Sequence, residues 1–538
     1  MRRSGALKNW RLLALGSIAA AGLLTMAAGP WKGHGGGPRF DLRFTQLDTY
    51  STGIFDEAAS EIVKYDERTR RVFVVNAQAP GIDVLDASDP SSLVKVNFID
   101  VSALGAGVNS VDVHKGVLAA AIEADPKTAP GLAAFYRTDT LELIATTPAG
   151  ALPDMVTFTP NGRHLLVANE GEPSDDYSVD PVGSVTVIEA RGNFKKLRAS
   201  QVGFERFNGK EDTLRAKGVR IFGPGASAAQ DFEPEYIAVS GNSKKAFVTL
   251  QENNAIAVLD LKRLKFTDIL PLGYKDHSLP GNGLDASDRD DAINIANWPV
   301  FGAYLPDSIV AYKAKGKTYL VTANEGDARE YDTFAEEARV KDLVLDPAAF
   351  PNADDLQEDE AIGRLTVTTT LGDTDGDGNF DALYALGGRS FTIWDERGRV
   401  VFDSGDALEQ ITAAEFPDDF NSNNTENDSF DGRSDNKGPE PEGVTLGEIR
   451  GRTYAFIGLE RMSGIAVFDI TDPRSPKFIE YLSNRDFSGD PEAFTAGDLG
   501  PEGLDFVPAS KSPTRKPLLI VGNEISGTTT VYEIGVEK

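Results

Sequence analysis

"TYAFIGLERMSGIAVFDI" (453–470) decides the fold. A run of apolar and β-branched residues, a polar tip at Glu460 and a second β-rich run make the pattern of a β-hairpin. It recurs in RHLLVANEGEPSDDYSVDPVGSVTVIEA (163–190), KAFVTLQENNAIAVLDL (245–261), TYLVTANEGDARE (318–330) and PLLIVGNEISGTTTVYEI (517–534). Fainter copies are RVFVVNAQAPGIDVLDA (71–87), GVLAAAIEADPKTAPGLAAFY (116–136) and FDALYALGGRSFTIWDE (380–396). Such hairpins at intervals of about 45–80 residues, with little helical periodicity between them, predict an all-β chain folded as a single β-propeller. Eight blade-like repeats are counted, with a seven-bladed ring as the alternative.

Five units open with an acid behind a proline: Pro153-Asp154, Pro234-Glu235, Pro306-Asp307, Pro441-Glu442 and Pro501-Glu502. Proline has no N–H for the ladder, so it marks where a strand starts, and these strands are expected to be innermost. In a propeller the first strand of each blade starts on the face that also carries the tip joining second to third strand. The strand-start acids and the tip acids Glu123, Glu170, Glu252, Glu325, Glu460 and Glu524 should therefore share one face near the central channel, with Gln78 and Arg389 at the tips of the divergent units. Carboxylates that close raise one another's pKa unless cations neutralise them, which predicts bound metal. The alternative is that each acid only caps turn backbone. With four histidines in no paired spacing and no cysteine, oxygen-ligated Ca2+, Mg2+ or Mn2+ is expected, and a zinc or thiolate site is not.

A separate calcium loop is expected in DTDGDGNFD (373–381). Asp373, Asp375, Asp377 and Asp381 alternate around Gly378, the Asn379 carbonyl is available, and such spacing lets one tight loop wrap an ion. Tyr384 stands where a helical EF-hand has its bidentate glutamate, so the loop reads as a structural site between strands. It is placed between the first and second strands of its blade, on the face opposite the acidic rings; a solvated turn without an ion is the alternative.

The 538 residues carry 54 Lys+Arg against 83 Asp+Glu, a formal net charge of −29. Such a surface repels nucleic-acid phosphate, and no nucleic-acid partner is expected. MRRSGALKNWR followed by LLALGSIAAAGLLTMAAG predicts a signal peptide over 1–29, an uncleaved anchor being the alternative. A Gly-rich flexible segment is expected over 30–45 and the propeller domain over 46–538, exported to the periplasm or medium with no stable membrane insertion. FTQLDTYSTGIFDEAASEIV (44–63) is expected to lend a strand to the last blade. Insertions over 274–304, 330–350 and 416–443 are expected to cover the acidic face, the last with disorder as the alternative.

LVTANEGDARE (320–330), ANEGEPSDDYSVDPVGSVTV (168–187), NWPVFGAYLPDSI (297–309) and SFDGRSDNKGPEPEGVTLG (429–447) resemble the choice-of-anchor I family of exported bacterial proteins, similar in turn to mesenchyme-specific cell surface glycoproteins. The resemblance implies a β-propeller with a phosphatase-like label. Resemblance to propeller-type alkaline phosphatases further implies Glu170, Glu325, Asp327, Glu440, Glu442 and Glu460 as metal ligands and Arg329, Arg433 and Arg461 as phosphate-binding catalytic groups. Two functions follow as expectations: an exported calcium- or metal-binding module of the cell envelope, or a metal-dependent phosphoesterase. The corresponding partners are an extracellular polymer or protein, or a small phosphorylated ligand.

Overall fold

The structure, a computed structural model, describes residues 40–191, 194 and 196–537; the expected signal peptide falls outside them. Among the described residues the chain forms seven four-stranded antiparallel sheets. Their first strands are Val63–Asp66, Gly107–His114, Pro153–Phe158, Pro234–Val239, Ile309–Ala314, Pro441–Ile449 and Pro501–Val507, and they number the sheets one to seven. Each first strand touches the next and the seventh touches the first, so the sheets close a β-propeller around a central channel.

Closure joins the two ends of the described chain. Asp41–Ser51 pairs with Thr528–Glu537 as the outer strand of the seventh sheet, as expected of the N-terminal segment, and it begins ahead of the anticipated boundary at residue 46. Pairing the ends leaves the seventh sheet complete. Apolar faces pack between neighbouring sheets: Phe73, Val75, Ile82 and Val84 of sheet one meet Val111, Leu118 and Ala120 of sheet two.

The eight counted repeats need one correction. Lys317–Asn324 and Ser390–Asp395, read as parts of separate hairpins, are adjacent antiparallel strands of the fifth sheet. A long insertion between them makes one hairpin look like two. Tyr384–Ala385, the first half of the supposed extra hairpin, joins a five-stranded sheet with Tyr274–Asp276, Phe301–Ala303, Glu337–Arg339 and Thr366–Thr368. The 373–381 loop therefore lies inside this insertion, which leaves from the second-to-third-strand tip on the acidic face, and not between the first two strands of a blade.

The long connections share that face. Residues 171–183, 204–233, 325–389, 404–440 and 483–500 all link a second to a third strand or one sheet to the next, while first-to-second turns such as 67–70 and 315–316 are tight. The Asn- and Asp-rich stretch 416–443 is folded, with Asn421, Ser422, Asn424 and Ser434 fully buried.

Candidate metal centre

One residue per sheet starts the channel wall: Glu61, Asn109, Asp154, Glu235, Asp307, Glu442 and Glu502, each two positions ahead of the ladder residues Val63, Val111, Val156, Ile237, Ile309, Val444 and Leu504. The register breaks between Pro153 and Val156, and likewise at Pro234/Ile237, Pro441/Val444 and Pro501/Leu504. A bulge at a strand start turns the intervening side chain out of the sheet, here toward the channel. Glu61 was missed in the sequence because serine, Ser60, stands where five of the other six units have proline.

Two glycines bring these backbones together. A Cβ at Gly443 would collide with the Glu502 carbonyl oxygen, and one at Gly503 with that of Glu61, so the sixth, seventh and first strands approach only because these positions lack side chains. At the tips, asparagine and glutamate divide the work. Asn324 Nδ2 donates to Thr392 Oγ1 at 2.8 Å, and Asn169 Nδ2 to Thr186 Oγ1 at 3.0 Å, which pins each tip and leaves the following Glu325 or Glu170 for the channel.

The two sets of acids meet in three groups whose carboxylate oxygens lie within 4.8 Å of one another: Glu61, Glu502 and Glu524; Asp154, Glu170 and Glu235; Glu325, Glu440 and Glu460. The first two groups have no lysine or arginine ion-paired to any member among the described residues. Burial, then the neighbouring acids, pushes Glu61 up to about 8 and Asp154 up to about 7. Glu524 rises to about 7 through burial despite Arg461, and Glu170, Glu235 and Glu502 stand well above the usual carboxylate range. Glu252 adjoins Glu170 and Glu235; it is 7% exposed, and its Oε2 has no hydrogen-bond partner. Glu442 Oε2 and Glu502 Oε2 are likewise buried without partners. Tyr236 lies beneath, its hydroxyl pushed upward by burial and then by Asp307, Glu502, Asp154 and Glu442, acids of four other sheets.

The third group differs in charge. Lys437 Nζ lies 3.0 Å from Glu325, 3.4 Å from Asp327 and 3.6 Å from Glu440. Arg433 Nε donates to Glu440 Oε1 at 2.9 Å, and Arg461 reaches both Glu440 and Glu460 at 3.0 Å. Burial opposes ionisation of Glu440, but Lys437, Arg433 and Arg461 outweigh it and hold that carboxyl down at about 2.

Arg329 is elsewhere engaged. Buried, it donates from Nη1 to Asp231 Oδ1 at 2.8 Å, from Nε to Glu233 Oε2 at 3.2 Å and from Nη2 to the Asp231 carbonyl at 2.8 Å. Asp231 and Glu233, which the sequence reading did not single out, lie at the end of and just after the short helix Ala228–Asp231 between sheets three and four. The three arginines expected to bind phosphate thus sit in ion pairs, and Arg329 in a different cluster from Arg433 and Arg461.

In the 373–381 loop, Asp373, Asp375 and Asp381 gather oxygens within 4.8 Å. Gly376 and Gly378 N–H groups donate to Asp373 at 2.7 and 3.0 Å, Asp377 N–H to Asp375 at 3.2 Å and Asn379 N–H to Asp377 at 2.8 Å. The Thr374 hydroxyl and N–H hold Asp381 below the usual range.

Oxygen-only donors of this kind suit hard divalent cations and fit no soft-metal site. Among known proteins, Gigasin-3a of Magallana gigas is 31% identical over 190 residues, spanning 33% of this chain and 66% of that protein. A mesenchyme-specific cell surface glycoprotein of Strongylocentrotus purpuratus is 28% identical over 326 residues, 53% of this chain and 42% of that one. The chain thus aligns with less than two thirds of each relative's length. Similar solved structures include Kuenenia stuttgartiensis hydrazine synthase (12% identity, TM-score 0.46, 90% of this chain and 98% of that chain) and a streptogramin B lyase (10%, 0.44, 92% and 98%). Residues 61–473 match the choice-of-anchor I domain, and the chain belongs to that family.

Proposed function

We propose that this protein is an exported cell-surface module whose channel holds divalent cations, calcium first among them, and which acts by binding rather than by turnover. The observation that carries the reading is the pair of three-carboxylate groups, Glu61/Glu502/Glu524 and Asp154/Glu170/Glu235, that have no ion-paired lysine or arginine among the described residues while the comparable third group has three. Excess buried negative charge is costly unless it is protonated or neutralised by a cation. Glu252, with an unsatisfied buried oxygen beside the second group, adds a fourth donor. Membership of the choice-of-anchor I family supports a surface or exported location, as does the naming of one relative as a cell surface glycoprotein. No helix among the described residues is long and apolar enough to cross a membrane.

Binding is preferred to phosphoester hydrolysis because the arginines that would hold phosphate are committed to carboxylates. Metal analysis of the purified protein, with melting temperature and phosphomonoester hydrolysis followed before and after chelation, tests the reading. Bound calcium, a chelation-dependent fall in melting temperature and no hydrolysis are expected. Metal-free protein whose melting temperature ignores calcium overturns it, and chelator-sensitive hydrolysis restores the phosphoesterase.

A further inference from the structure

The three carboxylate groups are built from the same kinds of position, a strand start or its neighbour and a hairpin tip, yet among the described residues only one has lysine and arginine ion-paired to its members. That one is Glu325/Glu440/Glu460, and the Lys437 ammonium is placed among its acids as a ligated ion would be. It lies between carboxylates of two different sheets, 3.0 Å from Glu325 at the fifth-sheet tip and 3.6 Å from Glu440 at the start of the sixth, with Asp327 at 3.4 Å. Lys437 is itself largely buried, 8% exposed, with Glu325 and Glu440 on its inner side and the exposed Asp327 toward solvent. The folded 404–440 connection delivers it, and the Arg433 and Arg461 guanidinium groups pair with Glu440, Arg461 also with Glu460.

Resting on the cation reading of the channel, we infer that Lys437 is a built-in counter-ion that takes the place of a third divalent cation, so that channel loading is limited to the two groups without basic partners. A lysine there gives a fixed charge that neither dissociates nor responds to calcium. The fifth-to-sixth-sheet side of the channel then keeps its geometry when the other two groups empty, while the first, third, fourth and seventh sheets depend on bound ions.

The test counts calcium bound per chain at saturation, by equilibrium dialysis and metal analysis, in full-length protein carrying Asp375→Asn and Asp381→Asn to silence the exposed loop. In this parent, Glu502→Gln and Glu170→Gln should each lower the count by about one. If neither does, the channel reading itself fails. Lys437→Met should raise the count by one, Lys437→Arg should leave it unchanged, and Lys437→Met with Glu325→Gln should return it to the parent value. A parent that binds calcium in the channel while Lys437→Met gains none overturns the inference and leaves the channel reading standing. Should Lys437→Met fail to fold without calcium, added calcium is expected to restore its melting transition. A protein that stays unfolded at saturating calcium also overturns the inference.

Discussion

The 373–381 loop and the channel both concentrate carboxylates, and they differ in what surrounds each oxygen. In the loop, backbone N–H groups already donate to Asp373, Asp375, Asp377 and Asp381, and water reaches the side chains. In the channel, Glu442, Glu502 and Glu252 each keep a buried oxygen with no donor, and the charged neighbours of Glu442 and Glu502 are other acids. Density of acid along the sequence is greater in the loop than at any one channel position; unmet demand for positive charge is greater in the channel. Desolvation, which no local motif reports, separates the two.

The sharpest way to break this comparison is to remove cations and vary pH. Channel acids whose pKa is raised in the folded state bind more protons folded than unfolded, so the cation-free protein loses stability as pH rises from about 4.5 toward 8. Glu61 and Glu252, raised to about 8, and Asp154 and Glu524, raised to about 7, set that window. In chelator, the melting temperature at pH 5 should exceed that at pH 8 by a margin worth on the order of 5 kcal/mol across the coupled acids. Saturating calcium should flatten the profile, and calcium affinity should weaken below pH 6 as protons compete. A chelated protein equally stable at both pH values would place the channel with the loop.

Arg329→Met comes next in size. Breaking the pair strands Asp231 and Glu233 in the interior, which costs about 3–5 kcal/mol. Denaturant unfolding should show that loss with and without calcium alike, because the carboxylates ion-paired to this arginine, Asp231 and Glu233, belong to none of the three channel groups. If Arg329→Met instead leaves stability intact and abolishes calcium binding, the boundary between structural ion pairs and cation-holding acids is drawn in the wrong place.

Glu502→Gln should have the opposite sign in chelator. Removing one of three crowded charges relieves repulsion, stabilising the cation-free protein at pH 8 by about 1–2 kcal/mol while weakening calcium binding. Thermal melts with and without calcium separate the two effects, and a protein destabilised in both states would mean that Glu502 is held by donors and not by a cation.

What could be read from the sequence follows the same division. Hairpin repeats and the Pro-acid strand starts are local, so the propeller, the innermost strands and the shared face of start and tip acids were legible. The fifth sheet was not, because a folded insertion separates Asn324 from its partner Ser390 and makes one hairpin look like two. Glu61 hid behind Ser60, and the pairing of Arg329 with Asp231 and Glu233 spans 98 and 96 residues, a separation that carries no local signal. Lys437 lay in plain view before the Glu440 strand start, but its place among Glu325, Asp327 and Glu440 depends on how the 404–440 connection folds back over the channel.

The smallest effect belongs to the loop. In Asp375→Asn the acceptor for the Asp377 N–H survives as an amide oxygen, and the side chain is exposed, so turn geometry should persist. In chelator the melting temperature should stay within about 2 °C of the parent. In calcium the same substitution separates two roles: a loop that only closes on itself leaves the calcium response unchanged, whereas a loop that holds an ion loses one weakly bound calcium with little change in global stability. Because this insertion hangs from the fifth-sheet tip at Glu325, any larger change in melting temperature would show that the loop and the channel form one cooperative unit. That outcome would dissolve the contrast between them, since an exposed turn can govern global unfolding only if its ion helps to seat the insertion over the buried acids.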